Sequence, residues 1–130
     1  MWGDKLKIEF NEREPIYVQI INHIKTQIAS NNIKGGDKLP SVRELSVEIK
    51  VNPNTIQRAY GEIEREGLAY TKRGMGKFVT EDESTIKKLK VHMAKDVLEK
   101  FIGEMNHLGF TRSEIIQMVS RKVEGGCVDE

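Results

Sequence analysis

With 130 residues the chain has room for one small domain plus an appendage, and its 38% hydrophobic and 32% charged content suits a helical protein with much exposed surface. No run of eighteen apolar residues occurs, which excludes a membrane-spanning helix. A net charge of +1 taken alone argues against nucleic acid, yet residues 1–80 hold 13 Lys/Arg against 10 Asp/Glu, and residues 81–130 hold 8 against 10.

The first residues, MWGDKLKIEFNERE, lack the apolar stretch of a signal peptide. A single cysteine, Cys127, cannot form an internal disulfide and fits a reducing compartment, so a cytoplasmic location is expected. Pro15 suits the first position of a helix, where its missing N–H costs nothing. Ile16, Ile20, Ile24 and Ile28 then recur every four residues with Ile21 beside them, which predicts one buried stripe ending near Ser30-Asn31-Asn32. "KGGDKLP" is a loop by composition.

"SVRELSVEI" opens a second helix, with Ser41 and Glu44 at capping-box spacing and Val42, Leu45 and Ile49 facing inward. After Val51, Asn52 is placed to cap a third helix with Pro53 at its first position. Ile56, Ala59, Tyr60 and Ile63 form that helix's inner stripe, and Gly67 ends it. Two helices joined by so short a turn predict a helix-turn-helix. Leu68–Thr71 and Lys77–Thr80 then read as two short strands around the tip Lys72-Arg73-Gly74-Met75-Gly76, the hairpin of a winged helix. From Glu81 onward Ile86, Leu89, Met93, Val97, Phe101, Met105 and Leu108 mark a long helix, which Gly109 should end. Thr111 and Glu114 then start a short one, and the tail "EGGCVDE" should fray. The expected fold is mainly α with a small β-hairpin: a winged helix-turn-helix domain over 1–80 and a short all-helical region over 81–130. About forty residues barely support a core alone, so the C-terminal stripe is expected to pair with a second copy.

The polar residues at the start of the third helix carry the functional reading. Asn54, Thr55, Gln57 and Arg58 are short or forked donors and acceptors, off the apolar stripe, where a helix entering the major groove meets base edges. Gln or Asn can pair with adenine, and Arg with guanine. Ser41 lies where a helix N-terminus accepts a phosphate, and Arg43 could grip a phosphate or reach a base. Arg73 and Lys77 would contact backbone or minor groove. As caps, Ser41 and Asn52 need no further explanation. What a solvated surface does not explain is the combination of capped helix, tight turn, Glu-poor second helix and basic glycine-rich hairpin, in that order.

The segments "PIYVQIINHIKTQI", "GDKLPSVRELS", "VNPNTIQRAYGEIEREGL" and "GMGKFV" resemble, in order and spacing, the GntR family of bacterial transcription regulators across roughly residues 6–80. That resemblance implies DNA contacts at Arg43, at Asn54, Thr55, Gln57 and Arg58, and at Arg73 and Gly74. The short helical tail looks like the YtrA-type subfamily, whose C-terminal helices serve dimerisation. Asn31-Asn32 departs from the family where a Gly is common, as does Lys77 where a small residue is common. The implied function is a sequence-specific DNA-binding regulator, a repressor acting as a homodimer on double-stranded, palindromic operator DNA. A winged-helix module for protein partners is the competing reading.

An enzyme is poorly supported. "GMGK" is too short for a phosphate-binding loop and precedes a strand, and Glu62, Glu64 and Glu66 alternate along a helix and read as solvated. His92 and Asp96 share a helical face with His107 further along, two ligands where a metal needs three or four. No cofactor or metal is expected, and nothing identifies an effector; the space between the C-terminal helices is where one would be sought.

Overall fold

The computed structural model describes residues 7–125. Cys127 and the tail past Gly125, expected to fray, lie outside the described residues, as does the start of the LKIEF segment. The elements are α1 (Ile16–Ala29), α2 (Val42–Ile49), α3 (Pro53–Arg65), β1 (Ala69–Lys72), β2 (Gly76–Val79), α4 (Glu83–His107) and α5 (Arg112–Val123). Contacts divide the chain into two compact units, with the boundary inside α4 between Lys90 and Val91.

In the first unit α1 packs along α3, and α3 also packs against α2. Ile20, Ile24, Ile28, Ile33, Leu39, Leu45, Ile56, Ala59, Ile63 and Val79 are all at most 2% exposed, which defines the core. Ile16 departs from the expected stripe at 44% exposure. The first turn of α1 instead buries Gln19, whose side chain accepts from Asn11 N (2.9 Å) and donates to Asn11 O (2.9 Å) and Glu14 O (2.8 Å). The incoming chain is thus held over Gln19, and Ile16 lies outside the core. In α2, Leu45 is buried while Val42 and Ile49 are half-buried flanks.

Helix ends follow capping chemistry. Ser41 Oγ accepts from Glu44 N (3.0 Å) and Glu44 Oε1 accepts from Ser41 N (2.9 Å), a complete capping box. Thr111 and Glu114 repeat it at α5. Asn52 Oδ1 accepts from Asn54 N (2.8 Å), with Pro53 first in α3. Asp82 performs the same service for α4, accepting from Ser84 N (3.0 Å) and from the hydroxyls of Ser84 (2.9 Å) and Thr85 (3.0 Å). These bonds hold its carboxyl below the usual carboxylate range, the Ser84 side-chain bond first among them. Asn31, at φ +66°, occupies the left-handed position just after α1, which asparagine tolerates and which accounts for the missing glycine.

The hairpin strands begin one residue later (β1) and one earlier (β2) than expected, pairing Ala69 with Val79 through Lys72 with Gly76. A third stretch joins them. Gly36 N donates to Val79 O (2.9 Å), Val79 N to Asp37 O (2.8 Å) and Leu39 N to Lys77 O (2.8 Å), so residues 36–39 lie along the outer edge of β2. Gly35 permits this approach, because a Cβ there would stand 2.8 Å from Thr80 O.

The second unit is the remainder of α4, the turn at Gly109 (φ +92°) and α5. Among its described residues only Ile115 is buried, while Val97, Leu98, Leu108, Ile116 and Val123 are exposed. A groove of about 280 Å³ lies between its helices, lined by Phe101, Met105, Met118, Val119, Lys122 and Val123.

Candidate nucleic-acid interface

The third helix separates its faces cleanly. Ile56, Ala59, Tyr60 and Ile63 are buried, whereas Asn54, Gln57 and Arg58 are exposed and Thr55 is half-buried at the flank. At 100° per residue, 54, 57 and 58 fall on the face opposite 56, 59, 60 and 63. The helix is also fixed in orientation. Tyr60 Oη donates to Pro40 O (2.7 Å) in a buried bond that ties α3 to the residue before the Ser41 cap. Burial, then the nearby charges of Glu44 and Glu48, hold the Tyr60 phenol well above its ordinary pKa, so it stays a neutral donor. The turn between α2 and α3 passes through Lys50 at φ +57°, ψ +49°, with Val51 N donating to Ser46 O (3.2 Å).

Each expected contact residue now has a place. Ser41 is exposed; its oxygen accepts the capping bond, and its own proton is not used among the described residues. Glu44, beside it, is held below the usual carboxylate range, first by the Ser41 backbone bond and then by the Ser41 hydroxyl. Arg43 is exposed in the first turn of α2, and Gln57 in the second turn of α3. Neither side chain has an ion pair or hydrogen bond among the described residues. Arg58 lies with its Cζ 3.7 Å from the centre of the Tyr17 ring. Arg73 and Gly74 form the exposed hairpin tip, where Gly74 takes φ +80° and Met75 N donates to Lys72 O (2.9 Å). A side chain at that φ would strain the turn.

Lys77 is placed differently from the other cations. Half-buried, it donates to Glu64 Oε1 (2.7 Å) and to Thr71 Oγ1 (2.9 Å), while Thr71 Oγ1 donates to Glu64 Oε2 (2.9 Å). The triangle ties both strands to α3 and lowers the Glu64 pKa, the Lys77 bond first and the Thr71 bond second. The expectation that Glu62, Glu64 and Glu66 are merely solvated is therefore corrected: each holds a cation, Arg65, Lys77 and Lys25 respectively. Their alternation scatters them around the helix, and each meets a different neighbour.

Two side chains that sequence pattern did not single out also stand here. Tyr17 meets Arg58 across 41 positions, which no local spacing discloses. Lys38 is exposed beside β2, its side chain reaching toward the hairpin tip, with Cε 2.9 Å from where a Cβ of Gly76 would be. Only the pairing of residues 36–39 with β2 brings it there. His92 Nε2 and Asp96 Oδ2 are 3.7 Å apart, and no group of three His, Cys, Asp or Glu that could hold a metal occurs among the described residues. No helix among them is long and apolar enough to cross a membrane.

A capped, core-anchored helix with an open polar face, preceded by a short helix and followed by a pinned basic hairpin, defines a winged helix-turn-helix DNA-binding protein. The family described as "Bacterial regulatory proteins, gntR family" matches residues 16–79, and the chain belongs to it. It is 42% identical over 118 residues to the HTH-type transcriptional regulator YhcF of Bacillus subtilis, covering 91% of this chain and 98% of that one. It is 38% identical over 125 residues to the HTH-type transcriptional repressor YtrA of the same organism, covering 93% and 96%. A GntR family transcriptional regulator from Listeria monocytogenes superposes with a TM-score of 0.80 at 46% identity, covering 86% of this chain and 98% of that one. The DNA-binding domain of AraR in complex with operator ORX1 superposes with a TM-score of 0.50 at 28% identity, covering 56% and 93%. The chain is thus a DNA-binding transcriptional regulator, and its relatives are regulators and not enzymes.

Proposed function

We propose that the chain is a homodimeric repressor of a roughly palindromic operator. In this reading α3 lies in the major groove, the hairpin tip flanks it, and the helices from Val91 onward join two protomers. The observation that carries it is the unspent hydrogen-bonding capacity of Arg43 and Gln57, on helices whose orientation is fixed by a buried Tyr60–Pro40 bond. Unpaired donors carried on helices of fixed orientation suit a partner that supplies acceptors at set positions, as base edges and phosphates do.

Roles follow from placement. Gln57 and Asn54 suit adenine edges, Arg58 a guanine edge, and Thr55 the flank of the helix. Arg43 and Ser41 suit phosphates, and Arg73 with Gly74 the backbone or the adjacent minor groove. Lys77 serves as the brace of the hairpin, because its charge is taken by Glu64. Twofold pairing is supported by the exposed apolar residues of the second unit, which a lone chain leaves in water. The repressor role is supported by the name of the YtrA relative and acts by occluding polymerase. Two protomers so joined present their α3 helices to half-sites about 34 Å apart, or a multiple of that.

Selection of duplexes from a random pool by the full chain tests this directly. The expected product is an inverted repeat bound with steep salt dependence, as phosphate contacts release counterions. A pool that yields no enriched sequence at physiological salt would instead indicate a module for protein partners.

A further inference from the structure

Tyr17 stands in the first turn of α1, half-buried, on a helix that packs along α3. Its ring lies under the Arg58 guanidinium, 3.7 Å from centroid to Cζ. The core beneath α1 is built from its isoleucines, and the Tyr17 hydroxyl has no hydrogen bond among the described residues. Among the described residues, Arg58 is the charged group that lies against that ring. An exposed arginine samples many rotamers, whereas a guanidinium lying over an aromatic face is restrained by the ring quadrupole while its N–H edge stays open. That open edge carries the paired donors that match O6 and N7 of guanine. Arg58 makes no ion pair or hydrogen bond among the described residues, so the edge is unspent.

We propose that Tyr17 is a positioning residue for sequence recognition: its ring holds the Arg58 guanidinium, before DNA arrives, in the orientation that pairs with a guanine edge. A residue of α1 thereby sets the base preference of α3. The proposal rests on Arg58 being a base contact, as put forward above.

The test measures binding of the full chain to the selected operator, to its single base-pair variants and to random duplex. It uses Tyr17→Leu, Tyr17→Phe, Arg58→Ala and the Tyr17→Leu/Arg58→Ala pair. Tyr17→Leu is expected to relax preference about two- to fivefold at the one base pair per half-site that Arg58→Ala also relaxes. Affinity for random duplex should stay unchanged, and the double variant should be no worse than Arg58→Ala. Tyr17→Phe keeps the ring and should keep the preference. If Arg58→Ala relaxes a position and Tyr17→Leu does not, the positioning role is overturned and the base-contact reading stands. If Arg58→Ala relaxes none, both fall. Equal loss on every duplex from Tyr17→Phe would make the hydroxyl a backbone contact and overturn the role. Should Tyr17→Leu fail to fold, Tyr17→Trp decides, because its larger face must retain the preference and its loss would refute the stack.

Discussion

In the N-terminal unit Ile20, Ile24, Ile56 and Ile63 are wholly withdrawn from solvent, whereas in the C-terminal unit Val97, Leu108 and Val123 keep 70, 72 and 79% of their surface exposed. Both units are helical, capped by the same Ser/Thr-x-x-Glu device and rich in aliphatic residues. The difference is closure. In the first, α1, α2, α3 and the hairpin meet from several directions, and one core is sealed. In the second, two helices joined at Gly109 bury Ile115 and little else. Apolar burial stabilises by roughly 25 cal/mol per Å², so the second unit lacks a stabilising term that the first has. One region is complete as a folded body; the other leaves an apolar surface in water, which the proposed pairing of two protomers would cover.

Substitutions sharpen that contrast. Val97→Glu places a charge on the exposed stripe and should weaken self-association by about 2–3 kcal/mol, roughly 30- to 150-fold. Sedimentation across a dilution series measures this, and an unchanged dimer would remove Val97 from the interface. Tyr60→Phe acts in the closed unit, leaving the buried Pro40 carbonyl without its donor. It should lower unfolding free energy by about 1–2 kcal/mol in urea melts, with no change in association. Lys50→Gly relieves a left-handed lysine at the turn before α3 and should gain up to about 1 kcal/mol, less the glycine's own entropy. The smallest effect is a pH effect. Glu64 has its folded pKa depressed by Lys77 and then Thr71, so its contribution is present at neutral pH and lost as pH falls through the carboxylate range to the folded value. Glu64→Gln should flatten the acid limb of the stability profile; an unchanged limb would make the hairpin brace energetically idle.

Much of this was legible along the chain. The caps at Ser41, Asn52 and Thr111 and the glycines after α3 and α4 declared the helix ends, because capping is a local event read within four residues. The stripe at 56, 59, 60 and 63 likewise implied which side of α3 stays open. What the pattern concealed was long-range. The pairing of residues 36–39 with β2, the Lys77–Glu64 brace and the Tyr17–Arg58 stack each join residues that local periodicity treats separately. Ile16 shows the opposite failure. It keeps the spacing of the stripe but lies beyond the core it would join, because the bonds of Gln19 with Asn11 and Glu14 occupy that end of the helix.

Binding of a chain ended at Lys90, compared with the full chain on the selected operator, tests the division of labour most directly. The shortened chain should be a monomer that prefers the same bases in a single half-site, but has lost the tight binding that two joined half-sites give. Undiminished affinity for the whole palindrome, or a surviving dimer, would contradict the account.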